Sequence, residues 1–416
     1  MGGKGKRDMD EALERGRLRV AGFTNPEMEY QLLRQLGAIR YGGAALGECL
    51  GLAQQIEDGN PQSWVDAFAG AAARQQADAE RRAARGHAIS ARDGLLVACN
   101  SWRAAEYYAA ADDPRHAQYG LASRDCFLAA MRAGGHHCEE VTLSCGSLGL
   151  PAYYLLPAKV GTGPGKTLMI ISGYDGTLEE TWLAYGRAAL ERGYRVLLFT
   201  GPGQMDTLRF HPGLEFAPDF ERVGTPAVDY LLGRAETDRA RIALMGISFG
   251  GYFATRIAVH EPRIRALIPN SPILDLHAYM TSFAGFDPAR MPDADDFGVA
   301  DLERIPEDIM PVQTRLMSRN LMLRVGGGSF KAAYRRLQAF RIGDEELAGL
   351  RCASLALAGE GEGREPIAQY RRFLARVPRA TGHLFGKDEG AGGHCQSGNL
   401  AFSAAVSMDW LDETFA

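Results

Sequence analysis

A mostly parallel sheet covered by helices on both faces, preceded by a separate run of helices, is the α/β fold class that the sequence predicts. Two observations carry it. From about residue 136 onward, short apolar runs alternate with amphipathic segments, the texture of strands buried on both faces and joined by crossover helices. Before that point strand-like alternation is absent and helical periodicity dominates. A third observation, a glycine-flanked serine between a strand and a helix, places chemistry at the middle of the alternating part.

Residues 1–135 read as a helical accessory or cap domain. DEALERGRLRV, MEYQLLRQLGAI, SWVDAFAGAAARQQADAERRAA and WRAAEYYAAA each space their apolar residues for one buried helix face. Ser101, just before WRAAEYY, is expected to cap that helix. The arginines of RRAARGHA follow the acidic QQADAE and read as a solvated helix face, not a polyanion contact.

Residues 136–416 read as the catalytic domain. CEEVTLSCGSLGLPAYYLLP predicts two strands joined by a turn between Gly146 and Gly149. A strand over Thr167 to Ile171 follows, then a helix over Leu178 to Glu191 and a strand over Tyr194 to Phe199. Next come a strand over Arg241 to Met245, a helix over Gly250 to His260 and a strand over Arg265 to Ile268. CASLALA and RATGHLF supply the last two strands. Between them and the earlier strands, about 271–350 reads as a lid-like insertion. Its segment IMPVQTRLMSRNLMLRV carries Met310, Met317 and Met322, side chains that adapt to an irregular ligand.

Composition narrows the function. With 46% hydrophobic and 23% charged residues, the 416-residue chain can build a large core, which excludes global disorder and a disulfide-stapled miniature scaffold. Lys and Arg total 46 against 51 Asp and Glu, so there is no basic footprint for nucleic acid. Seven cysteines without a CxxC pair fit a reducing cytoplasm better than a secreted framework. No apolar run approaches the ~18 residues of a membrane span, and the N-terminus lacks a signal core.

The sharpest signal is RIALMGISFGGYFATRIAV, a G-x-S-x-G motif centred on Ser248 with a strand before it and a helix after it. Small residues are needed on either side because the backbone turns sharply there, lifting the hydroxyl above the sheet. The following helix N-terminus favours developing negative charge. Ser248 is therefore the candidate nucleophile.

A nucleophilic serine requires a base and an orienting acid. Of the later histidines, His260 ends a helix, His277 suits a lid or cleft rim, and His383 sits in a strand. His394, in the glycine-rich KDEGAGGHCQSG before the final helix, is the candidate base, with His383 in reserve. The acid is expected just past CASLALA, in GEGEGREP: Glu362 first, Glu360 as the alternative. Backbone N–H donors for an oxyanion are expected from Phe249 and from the turn SGYDGT, at Tyr174 or Asp175. Trp102, Tyr107, Tyr108, Asp175 and Tyr279 are candidate walls of a mostly apolar pocket.

Two glycine-rich stretches do not make nucleotide sites. GTGPGKT has Val160 where a phosphate loop needs glycine, and it precedes its strand. GPGQMD follows a strand without the G-x-G-x-x-G pattern and reads as a turn near the cleft. No motif calls for a metal or another cofactor.

The motifs ISGYDG, FTGPGQ, MGISFGG, HEPRIRALI and GGHC, in this order, resemble the α/β-hydrolase superfamily. More narrowly they resemble the branch of 2,6-dihydroxypseudooxynicotine hydrolase, FrsA-like esterases and fungal polyketide-shortening hydrolases. The resemblance spans about 138–270 and 352–415. It implies a helical N-terminal domain over the core, the nucleophile at Ser248, the acid at Glu362 and the base at His394. It also implies a small aromatic or polyketide-like carbonyl substrate, with hydrolysis of a carbon–carbon bond next to a ketone. Esterase, thioesterase or acyl-transferring cyclase activity would use the same residues. A noncatalytic binding protein on this scaffold is the reading from another class. A homodimer through the N-terminal helices is compatible with the sequence.

Overall fold

The computed structural model describes residues 22–159 and 163–416. DEALERGRLRV and the start of GTGPGKT lie outside the described residues.

One sheet of eight strands runs in the order β1-β2-β4-β3-β5-β6-β7-β8. The strands are β1 (Cys138–Cys145), β2 (Leu148–Leu155), β3 (Gly165–Ile171), β4 (Arg195–Phe199), β5 (Thr237–Ile247), β6 (Ala266–Asn270), β7 (Ala353–Gly359) and β8 (Ala380–Phe385). β1 and β2 form a hairpin, and β2 lies antiparallel to β4. All other pairings are parallel. This is the predicted architecture, with a two-strand antiparallel edge.

Side-chain alternation along the central strands feeds two cores. Met169 and Ile171 of β3 join Leu197, Phe199 and Leu244 on one face. Leu168 and Ile170 join Val196, Leu198, Ala243 and Met245 on the other. Each apolar side chain so covered is worth ~1.5–3 kcal/mol over leaving it exposed, so the double coverage fixes strand register.

The N-terminal part consists of helices. The main ones are Pro26–Gly37, Pro61–Ala84, Ala88–Tyr108 and Pro114–Ala133. Asn25, Asn60 and Asp113 cap three of them, each followed by proline at the first helical position. Their own core gathers Met28, Leu32, Trp64, Val65, Phe68 and Tyr108. Ser101 caps nothing: it is buried inside the helix Ala88–Tyr108, which starts earlier, just past Gly86 in the left-handed region (φ +80°). Arg81 and Arg82 pair with Asp78 on the exposed end of their helix.

Between β6 and β7 the insertion folds into several helices, among them Leu276–Ala284, Val312–Val325 and Phe330–Leu337. Met322 packs into the core and Met310 against it, while Met317 points outward at 40% exposure. Among the described residues no helix is long and apolar enough to cross a membrane.

Candidate active site

β5 ends at Ile247, and Ser248 follows in the left-handed region at φ +59°, a strained conformation for a residue with a side chain. Positions 246, 250 and 251 around it leave room only for glycine. A Cβ on Gly246 would sit 1.9 Å from the Gly250 carbonyl oxygen, one on Gly250 2.5 Å from that of Ile171, and one on Gly251 1.7 Å from that of Ser271. The Ser248 N–H donates to Asn270 O at 2.6 Å, anchoring the turn to the end of β6.

The loop after β8 brings His394 to this turn. Its Nε2 lies 2.9 Å from Ser248 Oγ and its Nδ1 2.8 Å from Glu362 Oε2. Glu362 hangs from the end of β7, where Gly359 N–H donates to Oε1 at 2.8 Å and Ser271 Oγ–H donates to Oε2 at 2.6 Å. Both side chains are almost fully buried. Gly359 itself admits the histidine loop, since a Cβ there would meet Gly392 O at 2.5 Å. Glu360 turns away and accepts from Lys387 N–H at 2.8 Å.

Burial alone would lower the His394 pKa. Its surroundings, Cys395, Tyr279 and the Glu362 carboxylate, overcome that and hold it well above the ordinary histidine value. A carboxylate against Nδ1 also fixes the tautomer with Nε2 unprotonated and turned to the serine, the geometry needed to take a hydroxyl proton.

The turn after β3 presses on the same serine. A Cβ on Gly173 would lie 2.7 Å from Phe249 N and 2.8 Å from Ser248 Cβ. The neighbouring Tyr174 and Phe249 rings meet edge-on, with centroids 5.4 Å apart. Their rings continue into an aromatic wall: Tyr174 stacks on Phe216 at 5.6 Å, and Phe249 meets Tyr279 at 6.0 Å. Tyr279 also lies 6.5 Å from the His394 ring.

A cavity of about 70 Å³ is lined by Ser248 and His394 together with Tyr30, Arg34, Asp175 and Glu180. Trp102, Tyr107 and Tyr108 do not line this cavity, and neither does Tyr279. Trp102 stacks on Tyr119 and donates to Gln76, and Tyr108 packs edge-on against Trp64. Tyr107 donates to Glu27. Tyr107 and Tyr108 serve the N-terminal core and Trp102 packs against the core shared with the sheet, a choice that amphipathic spacing alone does not reveal.

Tyr30 and Arg34 were not anticipated. They stand one turn apart on the helix Pro26–Gly37. The Tyr30 hydroxyl lies 3.3 Å from His394 O and 3.1 Å from Ser397 Oγ. Arg34 pairs with Asp175 at 3.2 Å and with Glu180 through two nitrogens. Burial pushes the Glu180 carboxyl up, but Arg34 and Arg103 beside it hold it below the usual range. The i, i+4 spacing shows that the two residues share a face; it does not show what that face covers. Cys395 was also missed as a site neighbour: its Sγ lies 3.4 Å from His394 Nε2.

The remaining histidines sit apart from the serine. His277 Nε2 is 3.2 Å from Asp287, His260 ends its helix 3.8 Å from Glu346, and the His383 ring packs on Phe385 at 4.3 Å. Among the described residues no cluster of three or more His, Cys, Asp or Glu is arranged to hold a metal ion.

Comparison with known proteins gives concordant results. A family model described as the prolyl oligopeptidase family matches residues 213–301. The chain is similar to Hydrolase LUC6 of Fusarium sp, 32% identical over 419 residues, spanning 94% of this chain and 97% of that protein. It is also similar to 20-hydroxy-prefusarin hydrolase FUS2 of Gibberella moniliformis, 34% identical over 263 residues, 61% of this chain and 62% of that one. Among solved structures, 2,6-dihydroxy-pseudo-oxynicotine hydrolase shares the fold, with a TM-score of 0.70 at 20% identity over 91% of this chain and 95% of that one.

Proposed function

This chain belongs to the α/β-hydrolase superfamily, and on that footing we propose that it is a serine hydrolase cleaving a small aromatic or polyketide-like carbonyl compound, at a carbon–carbon bond next to a ketone. The observation that carries the reading is the continuous chain Ser248 Oγ, His394, Glu362, with contacts of 2.9 and 2.8 Å. The relation to Hydrolase LUC6 over nearly the whole chain supports hydrolysis. The Tyr174, Phe216, Phe249 and Tyr279 rings beside the serine favour a flat, weakly polar substrate.

In this reading His394 Nε2 takes the Ser248 proton as Oγ bonds to the carbonyl carbon. Negative charge collects on the carbonyl oxygen and is met by the Tyr174 and Phe249 backbone N–H groups. Glu362 holds the imidazolium. As the carbonyl reforms, the bond to the neighbouring carbon breaks, and the electron pair leaves as an enolate that takes the proton from His394. Water, deprotonated by the same nitrogen, then attacks the acyl-serine and releases a carboxylic acid. The ketone is the other product.

Product analysis on matched substrates tests the specificity. With an aryl β-diketone, the reading expects one carboxylic acid and one methyl ketone per turnover, both lost in Ser248→Ala. Turnover of the matching aryl ester with an intact diketone would replace it with an esterase. Binding of either compound without turnover by the wild type would leave a binding protein.

A further inference from the structure

The motif FTGPGQ, which resembles no nucleotide site, ends in a side chain that reaches the oxyanion turn. Gln204 is buried, and its Nε2 donates to Ser172 O at 2.6 Å and to Gly173 O at 3.0 Å. Its own Oε1 is fixed in turn by Gly201 N–H at 2.7 Å and Thr200 Oγ1 at 3.3 Å. All of its amide's polar atoms are thereby engaged in one orientation.

The Gly173 carbonyl and the Tyr174 N–H belong to the same peptide unit. A trans peptide is planar, with C=O and N–H pointing in opposite directions, so a bond that fixes the oxygen also aims the hydrogen. A donor on the carbonyl further polarises the unit and strengthens its N–H as a donor. That peptide abuts the elbow, as the 2.7 Å approach of a Gly173 Cβ to Phe249 N shows.

The next two carbonyls are held as well. Arg324, from the insertion, donates to Tyr174 O and, at 3.0 and 2.8 Å, to Gly203 O, with its guanidinium 3.8 Å over the Tyr174 ring. Arg324 is buried and, among the described residues, has no carboxylate within ion-pair distance, so its hydrogen bonds go to these main-chain oxygens alone. Arg34, from the N-terminal helix, donates to Asp175 O at 3.2 Å. Three consecutive carbonyls thus accept from side chains of three separate segments.

We infer that Gln204 is a positioning residue of the oxyanion hole, aiming the Tyr174 N–H at the site of developing charge, with Arg324 and Arg34 bracing the same turn. The inference rests on Ser248 being the nucleophile. Gln204 touches no substrate atom in this role; it acts through the peptide it holds.

The test is the second-order rate of phosphonylation by a small fluorophosphonate, with the phosphorus NMR resonance of the adduct. The adduct's P=O occupies the oxyanion position, so its resonance reports the donors. Gln204→Met keeps length and burial but removes the donor. Gln204→Glu keeps an acceptor for Gly201 and Thr200 but has no N–H. Removing an oxyanion donor outright costs about 10²–10³ in rate, and a misaimed donor loses less, so both variants are expected to react about 10- to 100-fold more slowly. Their adduct resonance is expected to shift, at a melting temperature close to wild type. If Gln204→Met melts early, the Gln204→Glu readings decide. An unchanged rate and resonance in a folded variant overturns the inference. A wild type that forms no adduct overturns the Ser248 reading itself, and the inference falls with it.

Discussion

Arg34, on a helix of the N-terminal part, forms an ion pair with Asp175 at 3.2 Å, one residue beyond Tyr174 in the turn that faces Ser248. The accessory helices therefore contribute directly to the walls of the site. They are more than a cover laid over it.

Removing that guanidinium takes away the cation 3.2 Å from Asp175 and leaves Glu180 with Arg103 at 3.8 Å. Breaking a fully buried pair costs ~3–5 kcal/mol, and this one keeps some solvent access, so Arg34→Met is expected to lose about 2–3 kcal/mol. Urea unfolding measures the loss. The added negative potential beside the oxyanion turn is expected to slow fluorophosphonate labelling too, whereas Arg34→Lys, which keeps the charge, recovers part of the rate.

Much of this was legible in the sequence, for identifiable reasons. Parallel strands buried on both faces read as continuous apolar runs, so LMII, VLLF and ALM marked β3, β4 and β5 directly. The elbow was legible because steric crowding leaves glycine as the residue that fits at 246, 250 and 251. The cavity walls were not. Tyr30 and Arg34 sit in MEYQLLRQLG, where periodicity identifies the inward face but not the partner it meets. Arg324 lies in the apolar segment IMPVQTRLMSRNLMLRV, where nothing local marks what it meets, yet its helix end is stapled by Phe216 N–H donating to Arg324 O at 2.8 Å. Such long-range docking leaves no local pattern.

The pH dependence of labelling follows from the raised pKa of His394. In the proposed mechanism the neutral imidazole is the reactive form, so the rate is expected to fall on acidification through a midpoint above the ordinary ~6.5. In Glu362→Gln the carboxylate that favours the imidazolium is gone. Its acid limb is expected to move to lower pH, with a plateau lowered about 10²- to 10⁴-fold by loss of the favoured tautomer. A midpoint that stays put would separate Glu362 from the base.

A second buried cluster joins the helices to the core. Arg209 donates to Glu106 at 2.8 and 2.7 Å, to Glu179 at 3.2 Å and to Asp206 at 2.9 Å, and all four side chains are buried. Arg209→Leu strands three carboxylates and is expected to cost ~3–5 kcal/mol near neutral pH. Burial raises such carboxyl pKa values in the folded state, the direction already present at Asp206. A raised folded pKa favours the folded state most below the unfolded value, and that contribution is lost as pH rises through the folded value. The deficit of the variant is therefore expected to shrink as pH falls from about 8 to about 5, read from urea midpoints along the series.

The most direct measurement is the intact mass of the protein after exposure to a small fluorophosphonate, with Ser248→Ala and Glu360→Gln alongside. One adduct per chain is expected on the wild type and on Glu360→Gln, with none on Ser248→Ala. An unmodified wild type, or an adduct that survives in Ser248→Ala, would contradict an activated serine at the end of β5.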